Sequence, residues 1–71
     1  INLEPLFFFF FGISEIKEKL ETEKKLSFSS LLIKNYSRIK IVALFLAILE
    51  LYRNGVIDII SEESIQIELA G

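Results

Sequence analysis

The stretch SRIKIVALFLAILELYRNGVIDIISEESIQIEL, Ser37 to Leu69, decides the architecture. From Ile41 to Leu49 it holds no polar side chain over more than two helical turns. Ser37 is a residue that accepts hydrogen bonds from first-turn amides. Gly55 readily takes the left-handed conformation that stops a helix. The pattern predicts a long helix over about Arg38 to Asn54. Two strands follow it. In Val56 to Ile60, Asp58 interrupts an aliphatic run; in Ser64 to Leu69, Ile65, Ile67 and Leu69 alternate with Ser64, Gln66 and Glu68. Ser61, Glu62 and Glu63 form a connection short enough for a hairpin.

Working outward toward the amino end, Ser14 to about Glu23 reads as an amphipathic helix. Ile13, Ile16 and Leu20 recur at three- and four-residue spacing, Glu15, Lys17, Glu18, Lys19 and Glu21 take the other face, and Ser14 stands as the cap. Leu26, Ser27 and Phe28 suggest a short extended segment. Ser27 then caps a second helix, about Phe28 to Asn35, with Phe28, Leu31 and Leu32 inward and a turn at Asn35 and Tyr36. Residues 1–12 read as a lead-in in which Pro5 breaks any helix and Phe7, Phe8, Phe9, Phe10 and Phe11 form an apolar plug closed by Gly12. The expected organisation is this lead-in followed by one domain over residues 13–71. Helix, short strand, helix, long helix and hairpin give an α+β winged helix: three helices, a short strand and a C-terminal β-hairpin wing. Fold alone does not fix function.

Composition narrows the function. A 71-residue chain buries only roughly 60% of the surface its unfolded form exposes. Yet 52% of its residues are hydrophobic, above the roughly 45–50% of ordinary domains, and the excess suggests a partner surface. Cys and His are absent, which removes thiol and imidazole ligands, disulfides, a Cys nucleophile and a His base. With three glycines far apart there is no phosphate-cradling loop, and the adjacent Glu62 and Glu63 make no catalytic pair. No catalytic residue, metal ligand or cofactor is expected. The Leu6 to Phe11 run is too short to span a bilayer, and the start is not that of a signal peptide. Ile1 in place of Met suggests a piece cut from a longer chain.

The formal net charge is −2, and the basic residues are interleaved with acidic ones rather than gathered in a stripe. Nucleic-acid binding draws most of its affinity from phosphate neutralisation. Arg38, Lys40, Arg53 and Asn54 sit only at the ends of the long helix, so direct nucleic-acid binding by a DNA-reading winged helix is the lesser alternative. Turning about 100° per residue, Val42, Phe45, Leu46 and Leu49 share one side of that helix, and Ile41, Leu44, Ile48 and Leu51 the other. The first two helices and the hairpin bury one side well and the second only in part. An interaction domain is therefore expected, and a homodimer built from this face and the Phe run is another alternative. The last strand is expected to offer a free edge to a partner sheet.

Ser37 to Leu69, and most specifically FLAILEL from Phe45 to Leu51, resembles the C-terminal winged-helix domain of ScpA, the segregation and condensation protein of the bacterial kleisin family. ISEIKEKLETEKKLSFSSLL, Ile13 to Leu32, is similar to that family's preceding helix and to the start of its second helix, here Phe28 and Leu31. The resemblance covers residues 13 to 69 and leaves the Phe run outside. It implies a non-enzymatic subunit in chromosome condensation and segregation that docks on the ATPase head of an Smc protein, with ScpB bound by a central segment of the parent chain. It also implies a place with the nucleoid in the cytoplasm, or in an organelle stroma if organelle-encoded. By position, it assigns Phe45, Leu46, Leu49 and Glu50 to the docking helix and Ile65, Gln66 and Ile67 to a nearby sheet edge. One departure is that the family commonly has Pro-Phe or an equivalent aromatic before a glycine in the wing, whereas Glu62 and Glu63 lead directly to Ser64 and Ile65.

Overall fold

The computed structural model describes residues 1–32, 37–61 and 63–71. Its elements are α1 (Glu4–Glu23), β1 (Lys25–Ser27), α2 (Phe28–Leu31), α3 (Arg38–Arg53), β2 (Ile57–Ser61) and β3 (Gln66–Leu69). The α+β winged-helix order is present, three helices with a three-stranded antiparallel sheet. The helical turns have the chemistry expected of them. Ser27 Oγ accepts from the Ser30 amide at 3.2 Å, and Ser37 Oγ accepts from that of Lys40 at 3.4 Å. Arg53 ends α3, and Gly55 follows with φ +76°. The turn expected at Asn35 and Tyr36 lies outside the described residues, as does Glu62 of the wing.

Two expectations are corrected. The first concerns residues 1–12: Pro5 does not break a helix there, and the Phe run forms part of the first half of α1, which starts at Glu4. Pro5 stands at the second helical position, where its missing N–H would be unpaired in any case and its fixed φ suits the helix. Asn2 Oδ1 accepts from the Glu4 amide at 3.0 Å, and the Glu4 carboxylate sits at the positive end of the helix dipole. Ser14 is consequently an exposed residue inside the helix, not its cap.

The second concerns the sheet. Its order is β1-β3-β2, so β3 is the central strand and has no open edge. Leu26 pairs with Ile67 on one side and Ile59 with Ile67 on the other. The open edges belong to β1 and β2. A register shift between Ile59 and Ser61 bends β2 where the wing begins.

The core draws on every element: Ile16 and Leu20 from α1, Leu26 from β1, Leu31 from α2, Leu44, Ala47, Ile48 and Leu51 from α3, Ile57 from β2 and Ile67 from β3. Helices α1 and α3 run side by side in the same direction. Phe8 lies beneath the Lys40 ammonium, 4.9 Å from the ring centre, and Gly12 is buried against Leu44 and Ala47. The small residues Gly12, Ala43 and Ala47 allow the two helices to approach closely, and this contact fixes which side of α3 is left uncovered.

Candidate partner-docking surface

Helix α3 is apolar all round but covered on one side only. Ala43, Leu44, Ala47, Ile48 and Leu51 are buried. Val42 is 50% exposed, Phe45 40%, Leu46 47% and Leu49 40%, with Tyr52 also open at the carboxyl end of the same surface. These residues recur at three- and four-residue steps, so they form one stripe along the helix. The Phe45 ring stands edge-on to Phe28 of α2 at 6.2 Å between centres, a favourable aromatic geometry. At the amino end of the stripe, Val42 and Leu46 join Pro5, Ile39, Ala43 and Arg38 around a shallow apolar depression of about 260 Å³.

The polar end of the stripe is organised by Glu50. Its carboxylate accepts from Arg53 Nη2 at 2.9 Å and Nε at 3.1 Å, and from Asn54 Nδ2 at 3.0 Å. The hydrogen bonds from Arg53 and then Asn54 hold the Glu50 carboxyl below its ordinary value of 4.5, and the same pairing pushes the Arg53 guanidinium upward. Glu50 therefore remains charged, and Arg53 is engaged with it.

The residues proposed from sequence are not one patch. Phe45, Leu46 and Leu49 lie together on the open face of α3, with Glu50 at its rim. Gln66 is exposed on β3, and Ile65 is half-buried against the core, its carbonyl accepting from the Phe28 amide at 2.9 Å. Ile67 is fully buried at the centre of the sheet. Sequence reasoning left Val42, Tyr52 and the depression beside Pro5 out of the site. Val42 shares the stripe's periodicity, but no local signal brings Pro5 to α3.

The family model for the segregation and condensation protein ScpA matches residues 4–69, nearly the whole chain. The chain belongs to the ScpA family. The match begins at Glu4, so the Phe run lies within the family region rather than ahead of it. No curated protein and no solved structure matches the chain. Membership makes it a kleisin of chromosome segregation and condensation, from a structural family associated with Smc and ScpB in a condensin-like complex. No described helix is long and apolar enough to cross a membrane.

Proposed function

We propose that this chain is the kleisin domain that docks on the ATPase head of an Smc protein, with the outer face of α3 as the contact surface. The observation that carries the reading is the uncovered stripe of Val42, Phe45, Leu46 and Leu49 on a helix whose other side is core. Burying a side chain of this size contributes roughly 1.5–3 kcal/mol, and a few such anchors supply most of an interface's affinity. Phe45 and Leu49 are the anchors, Leu46 and Val42 flank them, and Glu50 with Arg53 forms the polar rim. The depression beside Pro5 suits an apolar side chain of the head, and Arg38 at its edge suits a carboxylate next to that side chain. Gln66 and Ile65 are peripheral, and Ile67 acts through the core alone. ScpB is engaged by a central segment of the parent chain.

The test is the affinity of the purified chain for an isolated Smc ATPase head. Phe45→Arg and Leu49→Arg are each expected to weaken it at least thirtyfold, because each removes an anchor and places a charge in a desolvated contact, about 2 kcal/mol or more. Their circular dichroism melts are expected to stay close to that of the parent. Unchanged binding in both folded variants would place the contact elsewhere. Capture of the full-length protein's partners at moderate salt, with this domain deleted as control, is expected to yield an Smc ATPase only when the domain is present.

A further inference from the structure

The α1 helix carries a second apolar surface that the α3 face does not explain. Leu3 is 64% exposed, Leu6 54%, Phe7 63%, Phe10 59% and Phe11 58%. Phe7 and Phe10 lie on the side of α1 turned away from the buried Gly12 and Ile16, with Leu6 and Phe11 on either flank and Leu3 at the cap. The rings of Phe7 and Phe11 stack on each other at 6.1 Å, so the surface is preformed. After Phe11 the same side turns polar, with Ser14, Lys17, Glu18 and Glu21.

We propose that this stripe binds a second copy of the chain, the two α1 helices packing antiparallel about a two-fold axis between Phe7 and Phe10. The sequence positions support the symmetry. Leu3, Phe7, Phe10 and Ser14 are separated by four, three and four residues, a spacing that reads the same in both directions. An antiparallel copy therefore places Phe7 opposite Phe10 and Leu3 opposite Ser14, the point at which the apolar stripe ends, while Leu6 and Phe11 border the seam on its two flanks. The two rings at the centre thus meet each other's copies, and Leu3 meets the small Ser14. This is the self-complementarity an isologous contact requires. A parallel pair would instead set Lys17 against Lys17 and Glu21 against Glu21.

The area is sufficient for a weak dimer. An aromatic side chain offers about 150–250 Å², so the three rings leave on the order of 350 Å² open and the two leucines bring the stripe to roughly 500 Å². Two facing stripes then bury about 1,000 Å², the lower bound for a specific interface. The dimer is one that fills at micromolar concentration and leaves the α3 face of each copy open.

Sedimentation equilibrium of the 71-residue chain, from low micromolar to submillimolar concentration, is the test. A saturable monomer–dimer equilibrium is expected, weakened at least thirtyfold by Phe7→Lys or Phe10→Lys and unaffected by Leu49→Arg. The chain has no cysteine, so orientation is read independently. Mixing Phe7→Cys and Phe10→Cys variants under mild oxidation is expected to give the mixed disulfide in preference to either like pair. A chain that stays monomeric, association lost with Leu49→Arg but not with Phe7→Lys, or preferential pairing of Phe7→Cys with itself would each overturn the proposal. So would a monomer whose Phe stripe instead binds phosphatidylglycerol vesicles. Apart from association through Leu49, which would seat a second copy on α3, these outcomes leave the Smc-head reading untouched.

Discussion

At the scale of single residues, the conformations that matter most among the described residues are three with positive φ: Lys24, Gly55 and Ile65. Gly55 occupies such a position at no steric cost, and its role as the stop after α3 is readable from sequence. Lys24 does not. It closes α1 with φ 64° and ψ −42°, its amide bonded to the Leu20 carbonyl, close to the strained γ-turn region, which costs an L-residue on the order of 1–3 kcal/mol. Its side chain is exposed, so little packing is lost on truncation. Lys24→Gly is therefore expected to stabilise the chain by about 1 kcal/mol, part of the relief being offset by glycine's greater freedom in the unfolded state. Denaturant titration checks this; a lower midpoint would show that the Lys24 side chain contributes more than its backbone costs. The same change at Ile65, φ 44°, is not equivalent, because that side chain packs against the core.

At the scale of elements, what was legible in the sequence depended on whether the signal was local. Helix α3, its Ser37 cap, the Gly55 stop and the two hairpin strands all follow from residues a few positions apart. The grouping of Val42, Phe45, Leu46 and Leu49 apart from Leu44, Ile48 and Leu51 follows from the helical period, but which group is core does not, and Ile41, grouped by period with the inner set, is exposed. The start of α1 was not legible, because five consecutive phenylalanines have no period and Pro5 looks like a breaker until the chain is seen to begin its helix there. The strand order was hidden for a different reason: β1 is three residues long, and its pairing with β3 spans some forty residues of sequence. Gly12 joins the two kinds of signal. It reads as the end of the Phe plug, yet it is the point of contact between α1 and α3. A Cβ there would meet the Ala47 Cβ and the Leu44 Cδ1, each at 3.4 Å, which is the limit of ordinary contact. Gly12→Ala is expected to be neutral or to stabilise by up to about 1 kcal/mol through helix propensity. Gly12→Leu forces the helices apart and is expected to cost about 1–3 kcal/mol. Thermal melts of the two variants separate these effects, and equal loss in both would mean that the crossing has no room even for one methyl group.

At the scale of the whole molecule, the balance between covered and uncovered apolar surface is the dominant fact. A small single core is built from residues of all six elements, while the outer faces of α1 and α3 remain apolar and open on opposite sides of their shared packing surface. A domain this small has little stability to spare, so a ligand that binds only the folded state is expected to raise its melting temperature markedly. With an Smc head at about 100 times its dissociation constant, the gain is about 2.7 kcal/mol. For a chain of this length that corresponds to a rise of roughly 10 °C or more in the domain's own transition. Leu49→Arg removes the anchor without entering the core and is expected to melt near the parent temperature alone, with little or no rise in the presence of the head. Ile48→Arg, one residue along and fully buried, is expected to be unfolded with or without it. Hydrogen exchange on the labelled chain, read for the α3 amides, distinguishes the domain's transition from that of the head. If Leu49→Arg retained the full stabilisation, the open face of α3 would not be the docking surface.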